Sequence, residues 1–210
     1  MKLSRENLLL YAVTDSTCIG KRDFYETIEL ALKGGVTMIQ LREKDLNEEE
    51  LINKAVKVKH ICERFDVPLI INDNYRAAIK AGADGVHVGI SDTPVAEIRR
   101  IAGDDFIIGA TAKTCEQALK ARADGADYLG VGAVFPSPTK KNAIRITKEQ
   151  LREITSAVDI PIVAIGGISR DNILELSGCG IDGVALVSAI FAGKDIEREC
   201  MELKMLAEKL

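Results

Sequence analysis

The sequence predicts a (β/α)8 barrel, and a repeat along the chain is the first observation that supports it. Four similar segments, GGVTM, GADGV, GADYL and GIDGV, begin at Gly34, Gly82, Gly125 and Gly180, which are 48, 43 and 55 residues apart. Each segment follows an amphipathic stretch and begins an apolar, β-type stretch. A glycine at this position suits the left-handed residue that ends a helix before the next strand. The spacing leaves room for two βα units per repeat.

The second observation is a further set of apolar stretches between the repeats. Strand candidates occur at residues 8–14, 68–72, 105–110 and 161–165. Eight strands that alternate with helices indicate a parallel sheet with helices outside it. The alternative is an open, doubly wound sheet, which usually has a G-x-G-x-x-G turn after its first strand, and this sequence has none there. With no linker or low-complexity segment, residues 1–210 are predicted to form a single barrel domain.

Composition narrows the class of protein. With 47% hydrophobic and 29% charged residues, the chain has the composition of an ordinary soluble globular protein. A net charge of -4 and the lack of a Lys/Arg run argue against a nucleic-acid or membrane-surface binder. The five cysteines are scattered without a C-x-x-C pair, so we expect neither a zinc site nor a disulfide framework. A reduced, cytoplasmic protein is expected, and a homo-oligomer is possible.

The stretch VTMIQLREK begins as a buried strand and ends in charge. Gln40, Arg42 and Lys44 occupy alternate positions, so a strand through them would point all three side chains the same way. Catalytic groups of this fold lie at the C-terminal ends of the strands. We therefore expect Met38 inside the barrel, Ile39 facing the helices, and the three polar side chains at the mouth. The alternative is that the two cations are solvated loop charges.

Polar or glycine residues follow most of the other strands as well. The set comprises Asn72, Asp73, Asp92, Thr111, Gly166, Gly167 and Ser188, the last of which follows Val187 at the end of the eighth strand. Two carboxylates on neighbouring strands could hold Mg²⁺, which prefers few carboxylates together with water and phosphate oxygens. Arg42, Lys44 and Lys140 could surround the same polyphosphate. The alternative for Asp73 is a helix N-cap, and for Asp92 a turn or cap.

A second anion site is predicted after strands seven and eight. Loops at these positions and the start of a short helix form the recurrent phosphate site of this fold, and here they would supply Gly167 and Ser188. The alternative is a plain Gly-Gly turn and a serine cap. His87, inside the fourth strand, is predicted to be a packed, hydrogen-bonded core residue. No cysteine has an evident activating partner, so the sequence does not support nucleophilic catalysis.

Six motifs in order along the chain, QLREK, IND, HVGISD, SPTKK, IGGI and VSAI, resemble those of thiamine-phosphate synthases. Members of that family join 4-amino-5-hydroxymethyl-2-methylpyrimidine diphosphate to a thiazole phosphate and release diphosphate. The resemblance implies that Asp73 and Asp92 bind Mg²⁺. It also implies four groups of substrate-binding residues: Gln40, Arg42, Lys44 and Asn72 for the pyrimidine diphosphate; Ser137 and Thr139 in the thiazole-phosphate loop; Lys140 on the diphosphate; and Gly167, Val187 and Ser188 around the thiazole phosphate.

The resemblance also implies a mechanism. Arg42, Lys44 and Lys140 would stabilise the departing diphosphate, and with Thr111 they form the predicted catalytic set.

This sequence departs from the family pattern at two positions. Thr111 stands where the family commonly has serine, and Asn74 where a second aspartate is frequent. The alternative function is a related thiazole tautomerase, or a regulator-like or non-enzymatic barrel, that binds a phosphorylated ligand without coupling chemistry.

Overall fold

Eight parallel strands close into a barrel in which each strand pairs with the next along the chain and the last pairs with the first. This computed structural model describes residues 3–136 and 145–210. The strands are β1 Leu10–Val13, β2 Met38–Leu41, β3 Leu69–Asn72, β4 Gly85–Val88, β5 Ile107–Ala112, β6 Tyr128–Gly132, β7 Ile162–Ile165 and β8 Gly183–Leu186. The predicted (β/α)8 barrel is therefore confirmed. Strand β5 ends two residues later than expected, which places Thr111 inside it.

Helices surround the strands. They are α1 Ser16–Ile19, α2 Phe24–Lys33, α3 Glu48–Glu63, α4 Tyr75–Lys80, α5 Val95–Ala102, α6 Cys115–Ala123, α7 Lys148–Ala157, α8 Ser188–Phe191 and α9 Ile196–Ala207, with 3-10 helices at Arg5–Leu8 and Ile173–Leu176. Asn47 begins the longest helix with a reciprocal cap, because its side chain accepts the N–H of Glu50 while the Glu50 carboxylate accepts that of Asn47. Within the described ranges, no helix combines the length and the apolar character that crossing a membrane requires.

Alternation along the strands separates two layers of the core. Inward-facing side chains fill the lower part of the barrel; they are Leu8, Tyr11, Val13, Met38, Ile70, Ile107, Tyr128, Val163 and Ala185. Ile39 and Leu41 belong to the outer layer, packed with the helices. The inward position of Met38 and the outward position of Ile39 are thus as predicted. Burying one such aliphatic side chain contributes roughly 1.5–3 kcal/mol.

Three of the four repeated segments end an α-helix with a left-handed glycine, with one shift, whereas the fourth lies beyond a 3-10 helix that ends at Leu176. The residues at positive φ are Gly35, Gly82, Gly125 and Gly180. In the first segment this residue is Gly35, not Gly34 as expected, and Gly34 has φ -73°. Gly34 is required for a different reason, since a Cβ atom there would collide with the Glu197 carbonyl of α9.

The same segments fasten pairs of strands together. Two residues after each left-handed glycine, a side chain accepts the backbone N–H of the preceding strand. We call these four contacts the strand clamps: Thr37 with Leu10 (2.9 Å), Asp84 with Leu69 (2.8 Å), Asp127 with Ile108 (2.7 Å) and Asp182 with Ile162 (2.8 Å). The three aspartates also pair with cations, namely Lys59, Arg99 and Arg5 respectively. The strand clamps lie where the strands begin, opposite the catalytic end of the fold.

Candidate active site

A cavity of about 700 Å³ lies at the C-terminal end of the barrel. Every predicted site residue within the described ranges lines it: Gln40, Arg42, Lys44, Asn72, Asp73, Asp92, Thr111, Gly167, Val187 and Ser188. Three further predicted residues, Ser137, Thr139 and Lys140, lie outside the described residues. The structure therefore brings residues from the ends of six strands, β2, β3, β4, β5, β7 and β8, to one concave surface.

At the end of β2 and just after it, side chains alternate between the cavity and the surrounding scaffold. Gln40 is buried and donates from Nε2 to the Tyr11 hydroxyl at 2.7 Å. Arg42 and Lys44 line the cavity, with Lys44 exposed. Glu43 turns away instead, and its Oε2 accepts from Ser16 Oγ at 2.7 Å. The alternation expected from the sequence therefore extends past the last residue of the strand.

Arg42 is held by two groups of β1 and its following turn. Its backbone N–H donates to Thr14 Oγ1 at 2.9 Å, and its Nη1 lies 3.3 Å from Asp15 Oδ2. Burial disfavours the charge on Asp15, but hydrogen bonds from Thr17 and Cys18 and the charge of Arg42 outweigh burial and lower the pKa of this carboxyl. Asp15 is therefore an anion that orients the guanidinium.

Asp73 adopts a left-handed backbone conformation, with φ 62°. Asp and Asn tolerate this region better than most residues, and here it turns the chain sharply at the end of β3. The N-cap of α4 is the next residue, Asn74, whose Oδ1 accepts the Ala77 N–H at 2.9 Å. The helix-cap alternative for Asp73 is therefore wrong, and the asparagine that departs from the family pattern serves as the cap.

Asp92 does close a turn, as its alternative proposed. Its Oδ2 accepts the Gly89 N–H at 2.7 Å, which fixes the carboxylate beside the cavity. Among residues 3–136 and 145–210, no group of three or more His, Cys, Asp or Glu side chains is arranged to hold a metal ion. Two carboxylates from neighbouring strand ends nonetheless suit Mg²⁺, because this ion usually takes only one or two carboxylates and completes its shell with water and substrate phosphate.

The far side of the cavity is formed after β7 and β8. Gly166 and Gly167 both have positive φ, 101° and 66°. A Cβ atom at Gly167 would collide with the Pro136 carbonyl, so this glycine is required by the chain that follows β6. Ser188 is the first residue of α8, and the N-cap position is Val187. The serine-cap alternative is therefore wrong, and Ser188 lines the cavity.

Other cavity residues were not singled out from the sequence as binding residues. Tyr11, Ser91 and Lys113 line the cavity, as does His87. His87 is hydrogen-bonded, as predicted, but it is only half-buried and faces the cavity. Strand alternation was the available signal, because Gly85, His87 and Gly89 alternate with outward-facing valines.

The cysteines offer no activated nucleophile. All five are free, and Cys62, Cys179 and Cys200 are buried. Burial raises the pKa of the Cys62 and Cys200 thiols to about 12 each, which keeps them protonated and unreactive near neutral pH.

Comparison with known proteins identifies the family. The family model described as thiamine monophosphate synthase matches residues 10–190. Thiamine-phosphate synthase of Clostridium tetani is 46% identical over 194 residues, which covers 92% of this chain and 93% of the relative. That of Methanobrevibacter smithii is 48% identical over 189 residues, or 90% of each chain.

Solved structures agree with the sequence comparison. Thiamine phosphate pyrophosphorylase from Pyrococcus furiosus superimposes with a TM-score of 0.90 at 37% identity, covering 97% of both chains. A 3-hexulose-6-phosphate synthase, at 18% identity and a TM-score of 0.66, shares the fold alone. The relatives above 30% identity and the family model each extend over most of the chain. The protein is therefore a transferase that belongs to the thiamine monophosphate synthase family.

Proposed function

We propose that this chain couples 4-amino-5-hydroxymethyl-2-methylpyrimidine diphosphate with thiazole phosphate, yielding thiamine phosphate and diphosphate with the help of Mg²⁺. One observation carries the proposal. The cations after β2 and the carboxylates after β3 and β4 line the same cavity as the glycines after β7 and the serine of α8. A cavity with two anion-binding ends suits a reaction between two phosphorylated substrates.

The pyrimidine ring is assigned to the deepest polar residues. Gln40 is 4% exposed, and Asn72 and Thr111 line the cavity on strands β3 and β5. Amide and hydroxyl groups can bond the amino group and ring nitrogens of an aminopyrimidine. The methyl group of Thr111 adds apolar contact beside its hydroxyl.

The diphosphate is assigned to the mouth, next to Arg42 and Lys44. Because Asp15 meets only one nitrogen of the guanidinium, at 3.3 Å, it orients the group and leaves donors for phosphate oxygens. Lys44 adds a mobile point charge. Lys140 belongs to the proposed set by the family resemblance.

Asp73 and Asp92 would hold Mg²⁺ at this end of the cavity. When bound, the ion supplies positive charge that stabilises the diphosphate oxygens. The position of Asp92 is set by the Gly89 N–H, and that of Asp73 by its own N–H, which donates to the His87 carbonyl at 2.8 Å.

The reaction needs no nucleophilic side chain. The C–O bond between the pyrimidine methylene and the diphosphate breaks, and its electron pair leaves with the diphosphate. The remaining cation is delocalised over the aminopyrimidine ring. The lone pair of the thiazole nitrogen then forms the new C–N bond. Arg42 and Lys44 stabilise the charge that develops on the leaving group, and the phosphate contacts around Ser188 hold the thiazole close to the cation.

The decisive experiment incubates the purified protein with both substrates and Mg²⁺ and measures diphosphate and thiamine phosphate. We expect equal amounts of the two products and no thiamine phosphate when the thiazole phosphate is omitted. Isomerisation of a thiazole phosphate without diphosphate release would favour the tautomerase alternative. Tight binding of a phosphorylated ligand without any turnover would favour a binding protein.

A further inference from the structure

A chain of hydrogen bonds crosses the barrel, and four of its five residues line the cavity. Gln40 Nε2 donates to the Tyr11 hydroxyl at 2.7 Å, and that hydroxyl lies 2.8 Å from the Tyr128 hydroxyl. The Tyr128 hydroxyl lies 3.1 Å from His87 Nδ1, and His87 Nε2 lies 3.1 Å from Thr111 Oγ1. The polar relay, as we call these five residues, joins β2 to β5 through β1, β6 and β4.

The relay has a direction, set at its first member. An amide nitrogen donates and cannot accept, so the Tyr11 oxygen accepts from Gln40. Every buried hydroxyl proton of the relay has an acceptor only when Tyr11 donates to Tyr128 and Tyr128 donates to His87 Nδ1. With Nδ1 as an acceptor, the ring proton of His87 lies on Nε2, which donates it to Thr111 Oγ1. Burial raises the pKa of both phenols, so each keeps the proton that the relay requires.

Two glycines inside strands make room for the relay. A Cβ atom at Gly109 would overlap the Tyr128 ring and approach His87 Nδ1. A Cβ atom at Gly130 would lie 2.9 Å from His87 Cε1. Glycine weakens the interior of a strand and often marks a place where another group comes close. Here Gly109 lies beside both rings, and Gly130 lies beside that of His87.

We propose that Tyr11, Tyr128 and His87 are positioning residues that fix which way the Gln40 amide and the Thr111 hydroxyl face the ligand. Because one N–H of Gln40 Nε2 is bonded to Tyr11, the amide is held in one orientation, in which its Oε1 is presented as an acceptor. Because Thr111 Oγ1 already accepts from His87, its proton is available to the cavity. An acceptor and a donor at these two positions select a heterocycle with an amino group and an unprotonated ring nitrogen.

This inference rests on the proposed function, and it concerns discrimination rather than turnover. The 4-amino pyrimidine diphosphate would donate to Gln40 Oε1. Its 4-oxo analogue would place an oxygen there and meet an acceptor. Without the relay the amide is free to rotate and offer its NH₂ group to the oxo compound, so the preference for the amino compound falls.

The test measures binding of both pyrimidine diphosphates by calorimetry, with Mg²⁺ present, to the parent protein and to Tyr128→Phe. Tyr128 is fully buried, and its hydroxyl is bonded to Tyr11 and His87. Depriving a buried polar group of its partner costs the equivalent of roughly 5- to 150-fold in affinity, and the amino/oxo preference should fall by that order. Tyr25→Phe, which removes a phenolic hydroxyl on α2 outside the relay, is the matched control and should keep the parent preference.

Tyr11→Phe removes the hydroxyl that accepts directly from Gln40. It is the second test variant and replaces Tyr128→Phe if that variant does not fold. Circular dichroism and thermal melting identify the folded variants. An unchanged preference in a folded relay variant, or a parent protein that does not prefer the amino compound, overturns the inference. If the parent forms no thiamine phosphate but the preference falls as expected, the proposed function fails and the positioning role stands.

Discussion

Arg42 Nη1 lies 3.3 Å from Asp15 Oδ2, and the same carboxylate accepts the Thr17 N–H at 3.0 Å. Asp15 thus caps α1 and orients a guanidinium at the cavity with one side chain. The cation is positioned by a group that is itself tied to the backbone. A preorganised charge of this kind costs little further reorganisation when the leaving group develops its charge.

Lys44→Ala should slow the chemical step more than it weakens substrate capture. In the proposed reaction, the interaction of Lys44 with diphosphate strengthens as the C–O bond breaks, and such interactions lower the barrier. Losing one donor of this type typically costs about 2.7–4 kcal/mol, or roughly 10²–10³ in rate. Single-turnover product formation at saturating substrates measures this directly. The parent rate in Lys44→Ala would show that the lysine is a solvated loop charge.

Arg42→Lys should also lower the single-turnover rate, although it keeps the charge. An ammonium cannot bond Asp15 and two phosphate oxygens with the geometry of a planar fork. The control is Lys54→Arg, in which one cationic side chain replaces another at a residue paired with Glu43. Equal rates in Arg42→Lys and the parent would show that the reaction does not need a bidentate contact from Arg42.

Asp15→Asn should change how stability depends on pH. The folded-state pKa of Asp15 is lowered, so its carboxylate stabilises the fold above the ordinary value of about 3.9. This contribution is lost as the pH falls through the lowered pKa. The difference in free energy of unfolding between the parent and Asp15→Asn should therefore be largest near neutral pH and shrink in acid. Urea unfolding across that pH range tests it, and a constant difference would contradict the ionic role.

Asp73→Asn and Asp92→Asn should each lower turnover sharply if the two residues share one Mg²⁺. Both changes preserve the local fold, because Asn tolerates the left-handed backbone at position 73 and can still accept the Gly89 N–H at position 92. The double variant should be little worse than either single variant, since the shared ion is already lost. Mild and additive losses would mean that the residues act separately. Mg²⁺ titrations of each variant provide a second measurement.

Ser188→Ala should weaken the thiazole phosphate selectively. A lost hydrogen bond to a charged group costs the equivalent of roughly 10- to 150-fold in affinity. The pyrimidine diphosphate should bind as in the parent, and equal weakening of both substrates would contradict two separate sites. Gly167→Ala would be a less selective test. Its Cβ would collide with the Pro136 carbonyl and would displace the segment that precedes Lys140 in the sequence. Because Lys140 belongs to the proposed diphosphate set, binding of both substrates would change.

Asp84→Ala should destabilise the protein without slowing the chemical step. It leaves the buried Leu69 N–H without its acceptor, at a cost of about 1–3 kcal/mol. Asp84→Asn should cost less, because an amide oxygen can still accept that N–H. Lys59→Met removes the ion pairs of Lys59 with Asp84 and Glu63 but keeps the acceptor of the Leu69 N–H, and it is the control. Urea unfolding measures the losses, and equal losses in Asp84→Ala and Lys59→Met would assign the effect to the charge alone.

The sequence predicted the barrel well because its signals were local and repeated. Helix-ending glycines and alternating apolar residues placed all eight strands, and the fold rule then placed Gln40 and Arg42 at the mouth. What it missed depended on distant partners. His87 was known to be inside a strand, but its bond to Tyr128 spans 41 positions. Whether Asp73 or Asn74 caps α4 was likewise undecidable, since both residue types suit both roles.

The strand clamps have a consequence for how the protein folds. Each links residues only 15 to 27 positions apart, whereas the contact between Arg5 and Asp182 spans 177. Contacts between residues close in the chain cost less loop-closure entropy and form sooner. Each clamped pair of strands is therefore equipped to assemble as a unit before the ends of the chain meet. Joining β1 to β8 is then the late step. Kinetic intermediates of refolding should protect the amides of Leu69, Ile108 and Ile162 before that of Val184, whose N–H donates to the Leu9 carbonyl beside β1.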